Sequence, residues 1–561
     1  MFTRTLQAGV LVSLLHAAST MAQTADVTDL QRRLEEQERK TAVLEPKLEI
    51  QDETTKAALP STPLIKAGQK GFLIASQDNA NVIKFRSLVQ LDGRNFTDNS
   101  NMGGVDQWQA TRVRPWVEGT LYNFVDFRIM PDFGRARTVL QDAWIAARFR
   151  PDFQVTAGKF KSPVGLERLQ SAADIRLQQR GYPTNLAPNR DLGLQFSGNL
   201  LADTLTYQVS FSNGSNDGGS GETFGDADVN NAKEWALRLF SHPFINTGNF
   251  YLRGLGLGVA RTFTDAQGTN NQTLLPSFVT PAGQTFFNYR GSTAAGAVPA
   301  TNATIADGDR FRISPQLYYY VGSFGLLSEY ITVEEHVSRQ ATAADPVRRD
   351  GLDNTAWQVQ LSWFATGEED TYNGFTPNSV FTPGGPGWGA LEFVGRYMEL
   401  DVDDATFTAG ALSHADPAKS SSKAQSIGVG ANWYLNQNRK VLLEYENTQF
   451  DGGAAGGADR EDENAVLNRF QLSFQPAPGQ VTNSLEIEHV CNQVALPRPP
   501  PCPCPCHGRL ARRACRRQHT AERVLRPDAG VVLGLQRGLC KILAVENRQD
   551  SGDPSVPRRF R

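Results

Sequence analysis

The feature that most restricts this chain is a two-residue alternation of apolar and polar side chains, recurring from about residue 71 to residue 474. From Val82 to Phe96, one parity holds Ile83, Phe85, Val89 and Leu91, and the other holds Lys84, Arg86, Gln90, Asp92 and Arg94. Neighbouring side chains of an extended strand point to opposite faces, so such a strand is apolar on one side and charged on the other. The pattern returns as Val113, Val117 and Leu121 against Arg112, Arg114 and Glu118, and as Val125, Phe127 and Ile129 against Asp126, Arg128 and Asp132. It returns again with Leu205, Tyr207, Val209 and Phe211 against Thr206, Gln208, Ser210 and Ser212, and with Phe311, Ile313, Leu317 and Tyr319 against Arg310, Arg312, Ser314 and Gln316. A last instance sets Ile427, Val429, Ala431 and Trp433 against Gly428, Gly430, Asn432 and Tyr434. Strands of about 9–11 residues cross a bilayer when they close into a barrel with the apolar parity outward. Tight connections at Tyr122-Asn123-Phe124, Pro151-Asp152, Ala202-Asp203 and Leu435-Asn436-Gln437-Asn438 alternate with long Gly/Asn/Asp/Ser-rich ones at 212–232, 264–308, 334–353 and 402–424. That asymmetry belongs to outer-membrane barrels, and a soluble antiparallel sheet explains neither it nor the one-sided polarity. The expected fold is all-β: a transmembrane antiparallel β-barrel over 71–474, in a lipid bilayer.

The ends read differently. Residues 1–22 have the form of a secretory signal peptide: Arg4, an apolar core of Val10, Leu11, Val12, Leu14 and Leu15, and small residues around Ala22. Over 23–70 a short helical or coiled-coil stem is expected, with Leu30, Leu34, Gln37, Thr41, Leu44 and Leu48 at heptad spacing, followed by a polar linker from 51. The barrel closes on Asn464 to Phe474, where Val466, Phe470, Leu472 and Phe474 oppose Arg469, Gln471 and Ser473. A terminal amphipathic strand ending in Phe looks like the signal read by outer-membrane assembly machinery. Residues 475–561 lose the alternation, gain Pro and Arg, and hold all six Cys. This Pro/Arg/Cys-rich tail reads as a disordered extension or a reading-frame artefact joined to a complete barrel. Pro501 to His507 lacks the paired spacing of a zinc site.

Four stretches resemble the phosphate-selective porin O and P family of Gram-negative outer membranes. They are Gly158 to Arg168; Leu186 to Gly193; Thr366-Gly367-Glu368 with Gly389 to Tyr397; and Gly430 to Asn436. The resemblance implies about 16 strands, a homotrimer, inward-folded loops that narrow the pore, and passive diffusion of phosphate or polyphosphate past basic side chains.

An anion channel needs fixed positive charge on a wet wall, and the planar fork of Arg suits phosphate oxygens. The inward parity supplies Lys84, Arg86, Arg94, Arg112, Arg114, Arg128, Arg310 and Arg312 as candidates. By resemblance, Lys159 and Lys161 begin the stretch that enters the constriction, and Arg168, Arg176 and Arg180 lie along it; the parity of the two lysines is left open. Glu118, Asp126 and Asp132 are possible partners that would mute the wall arginines, and Arg190 is expected to brace a turn through Asp191. Formal net charge is −3, so anion preference must come from local placement. No catalytic set, cofactor, metal site or nucleic-acid partner is expected. The alternatives are a structural or adhesive outer-membrane barrel with partner-binding loops, and a general porin without phosphate selectivity.

Overall fold

The computed structural model describes residues 62–68, 71–97, 104–219, 230–292 and 302–474, with Arg39 besides. The expected signal peptide, helical stem and tail lie outside the described residues, apart from Arg39 and the last residues before the barrel. Those last residues depart from the expected linker. Leu64–Gly68 (β1) and Gly71–Ala75 (β2) form an antiparallel hairpin.

Sixteen antiparallel strands then close a barrel. The first is Val82–Phe96 (β3), followed by Gln107–Leu121 (β4), Val125–Asp132 (β5), Val139–Arg150 (β6) and Phe153–Lys161 (β7). Next come Arg190–Leu200 (β8), Leu205–Ser212 (β9), Glu234–Ser241 (β10) and Leu255–Gln267 (β11). A small separate hairpin, Ser277–Val279 (β12) and Thr285–Asn288 (β13), interrupts the wall. The wall resumes with Ile305–Val321 (β14), Phe324–Arg339 (β15), Arg348–Phe364 (β16), Ala390–Asp401 (β17), Ser421–Asn436 (β18), Arg439–Gly452 (β19) and Glu463–Phe474 (β20). Closure is between β20 and β3, with Phe474 opposite Ser87 and Ala465 opposite Phe96. Below that register, Phe72 to Ala75 of β2 take over as the partner of β3. Gly71 abuts Phe474, so β2 and β20 lie in line along one neighbour.

The alternation decides which way each face points. Outward-facing Phe85, Leu91, Ile129, Ile313, Ile427, Leu443 and Phe470 are exposed, while inward-facing Arg86, Gln90, Asp92, Arg312, Asn432 and Arg469 are buried. Polar inside and apolar outside inverts the order of a soluble protein and matches a wall with lipid on one side and a filled lumen on the other. At one rim the chain turns tightly. Tyr122 and Asn123 adopt the left-handed conformation (φ 54° and 65°) in the three-residue turn between β4 and β5.

Two connection lengths differ from expectation. The stretch 334–353 is mostly strand, because β15 runs to Arg339 and β16 starts at Arg348. At the tight-turn rim, β16 and β17 are joined by 365–389, a long segment here called the floor loop.

A basic cavity between the inner loop and the wall

The loop between β7 and β8, residues 162–189 (the inner loop), crosses the lumen. It departs the wall through Pro163 and Gly165 (φ 80°), and two single turns of helix, Leu166–Leu169 (α1) and Pro183–Leu186 (α2), shape it. The far wall grips it with charge. The amides of Leu166 and Glu167 donate to Glu329 of β15 (2.5 and 3.3 Å), and Arg176 binds Asp370 (2.5 Å) and Glu392 (2.9 Å). The Gln178 amide donates to Glu444 (2.6 Å), and the Gln178 carbonyl accepts from Arg469, itself held by Asp92 (2.7 Å). Leu177 lies where β18 has Gly428 and Gly430; a Cβ at Gly430 would sit 2.9 Å from it. The floor loop supports it through Tyr372, whose hydroxyl donates to the Leu166 carbonyl (2.6 Å) and whose carbonyl accepts from Gln170 (2.6 Å). The β12–β13 hairpin buries Phe278, Phe286 and Phe287 against Val164, Tyr182 and Leu186 of the inner loop.

These contacts press the loop toward β15–β20 and leave space beside β4–β9. A cavity of about 560 Å³ lies there, lined by Arg112, Arg114, Arg128, Lys161, Arg168, Arg180 and Arg190 against only two carboxylates, Glu118 and Asp142. A second chamber of about 290 Å³ reaches Thr120, Pro151 and Asn199 at the tight-turn rim. The two share Glu118, Arg128, Trp144, Gln154 and Gln208, which form a neck.

Three of the seven cations are neutralised. Arg128 meets Glu118 (2.6 Å) and Asp142 (3.6 Å), Arg190 meets Asp142 (2.7 Å), and Arg114 meets Asp132 (2.6 Å). The other four have no carboxylate within 4.0 Å among the described residues. Arg112 donates to Gln90 (2.7 Å) and Gln179 (3.3 Å), and Lys161 to the carbonyls of Leu169 (3.1 Å) and Gln170 (2.9 Å). Arg180 donates to the carbonyls of Glu167 (2.8 Å) and Gln170 (2.7 Å), and Arg168 to those of Thr184 and Ala187. Dipoles of neutral groups hold these four side chains in place. Burial, with Arg180 and Arg190 nearby, pushes the Arg168 guanidinium down to about 9; burial also lowers Arg180 to about 10, against the pull of Glu167. Both remain charged at neutral pH, and both gain from any anion that comes between them.

Of the residues expected from sequence, Arg112, Arg114, Arg128, Lys161, Arg168 and Arg180 come together here. Seven do not. Lys84 lines the second chamber instead, and Arg176 is held by Asp370 and Glu392. Arg86 lies on the inner wall outside the cavity lining and pairs with Glu118 (3.3 Å). Arg94 is buried against Gly283, at the turn of the β12–β13 hairpin. Arg310 is tied to Glu335 (3.2 Å) and to the Ser215 carbonyl (2.9 Å), and Arg312 to Asp217 (2.6 Å) and Glu234 (2.7 Å). These two brace the segment after β9, where the expectation was contact with solute. Lys159 is 1% exposed, opposes Ala143 and Leu192, and does not line the cavity. Arg190 pairs with Asp142 rather than bracing its turn through Asp191, which accepts the Leu192 amide (2.8 Å) and the Gly214 amide (2.5 Å). Trp116 and Trp144 line the cavity too, a role signalled in sequence only by their shared parity with Arg114 and Asp142.

The model of the phosphate-selective porin O and P family matches residues 83–474. Porin O of Pseudomonas aeruginosa is 24% identical over 421 residues, covering 72% of this chain and 91% of that protein. Among solved structures, the outer membrane channel DcaP of Acinetobacter baumannii aligns with a TM-score of 0.44 and 11% identity, over 72% of this chain and 99% of that one. An anion-selective porin from Comamonas acidovorans aligns at 0.40 and 11%, over 70% and 99%.

Proposed function

The chain belongs to the phosphate-selective porin O and P family and is thus an outer-membrane porin; from that premise we propose that the basic cavity is its solute pathway and that phosphate or polyphosphate is what it favours. The observation that carries this reading is the charge imbalance. Arg112, Lys161, Arg168 and Arg180 face one cavity with only neutral oxygens as partners. An arriving anion replaces part of its hydration with guanidinium N–H groups already aimed inward, and Arg offers paired donors to a phosphate. Release is as necessary as capture. At the neck Glu118 and Asp142 compensate Arg128, so attraction weakens there and the solute passes to the lower chamber. A homotrimer, with export by a signal peptide, completes the proposal.

Reversal potentials of single channels in a KCl gradient test it, followed by titration with phosphate. The expected result is anion selectivity and block of the chloride current by phosphate, both reduced several-fold in Lys161→Glu and Arg168→Glu. A cation-selective pore that phosphate leaves unblocked overturns the proposal. The apolar contacts between the inner loop and the β12–β13 hairpin favour a second reading, a barrel with a closed lumen. Absence of conductance in bilayers would select that one.

A further inference from the structure

The lumen side of the wall carries many polar residues, as at Ser314, Gln316, Gln358, Gln360 and Asn432. Beside the cations, apolar side chains stand among the polar ones Gln154, Thr156, Gln195 and Gln208. The cavity is lined by Leu88, Trp116, Met130, Trp144 and Phe160, all on β3–β7. Leu88, Trp116 and Met130 have a packing reason, because they hold Ala172 and Ala173 of the inner loop. Trp144 and Phe160 belong to no such cluster. Trp144 is half-buried, lines both chambers, and sits directly across from Arg128, whose guanidinium lies 5.6 Å from its ring centre. Inorganic anions gain little from an indole at a wet neck, and apolar surface left facing water is unfavourable. A cavity of about 560 Å³ also falls within the size range of sites for small organic ligands.

We infer that this pathway prefers phosphate monoesters with a flat aromatic group, the phosphate seated among Lys161, Arg168 and Arg180 and the ring against Trp144 and Phe160. The inference rests on the basic cavity being the solute pathway and narrows the solute within it. The cations supply attraction common to all phosphates, and the aromatic ledge adds a term that only an aromatic ester collects. Charge and ring are recognised on different elements, the first largely on the inner loop and the second on β6 and β7.

The test measures chloride current through the full-length porin in planar bilayers, with orthophosphate, methyl phosphate or phenyl phosphate added. Phenyl phosphate is expected to halve the current at a concentration about 3- to 10-fold below that of methyl phosphate, the range for one aromatic contact. In Trp144→Ala that ratio should fall to about one, and in Trp144→Phe most of it should return. Equal block by the two esters in the wild-type protein overturns the inference, as does a ratio that survives Trp144→Ala. The wild-type comparison decides even if the variant does not assemble. Orthophosphate serves as the separate arm: if it leaves the current unchanged while phenyl phosphate blocks, the inorganic-phosphate reading falls and the aromatic preference stands.

Discussion

At the scale of single residues, identical side chains inside one lumen have opposite jobs, and their partners decide which. Arg312 is fully enclosed by Asp217 and Glu234, and Arg168 rests on backbone carbonyls. Removing one member of a buried ion pair strands the other charge and costs about 3–5 kcal/mol. Arg312→Gln should therefore lower the thermal unfolding temperature in detergent while leaving the reversal potential near its original value. Glu118→Gln should act the other way. It removes one of the two carboxylates that compensate Arg128 at the neck, so phosphate should block at several-fold lower concentration and leave more slowly, read as longer closed times in single-channel records. Asp174, half-buried in the inner loop, adds a pH dependence. Burial pushes its carboxyl up to about 7, against Lys440 and Arg176 nearby. A carboxyl raised above its unfolded value of about 3.9 favours the folded state most at acid pH and loses that contribution as pH climbs through 7. Thermal stability should thus decline between pH 4 and 7, and Asp174→Asn should flatten that part of the profile.

At the scale of elements, the wall was legible and the lumen filling was not. Strand faces follow from a period of two, which any stretch of about ten residues displays. The cavity face of β4 and β5 was accordingly readable at Arg112, Arg114 and Arg128. Ion pairing was not, because Arg312 and Asp217 are distant in sequence and meet only when the segment after β9 folds back. The parity of Lys159 and Lys161 was open because Gly158 (φ 121°) bends β7 just before them; a Cβ there would meet the Ala143 carbonyl at 2.2 Å. The β12–β13 hairpin gave no sign of its place, since a short Phe-rich strand reads alike inside a lumen or on a surface. Its three buried Phe rings hold it there, and Phe→Ala at such sites costs about 3–5 kcal/mol. Phe286→Ala combined with Phe287→Ala should loosen the hairpin and raise unitary conductance, whereas unchanged conductance would place the limiting constriction at the neck.

At the scale of the molecule, wall, loops and pathway form one unit by Phe474, where the family match also ends. A chain stopped after Phe474 should reach the outer membrane and show the same selectivity, and resequencing the DNA around that codon would show whether the tail arises from a reading-frame change. The contact of Gly71 with Phe474 bears on assembly as well. β2 and β3 are neighbours in sequence, so their pairing closes a short loop and should form early, whereas β20 must find β3 across the whole barrel. With β2 already occupying Val82 to Phe85 of β3, the incoming strand can slide only until its last residue reaches the hairpin. The hairpin is then an end-stop: it fixes the stagger of the seam, and through it the tilt and bore of the closed barrel.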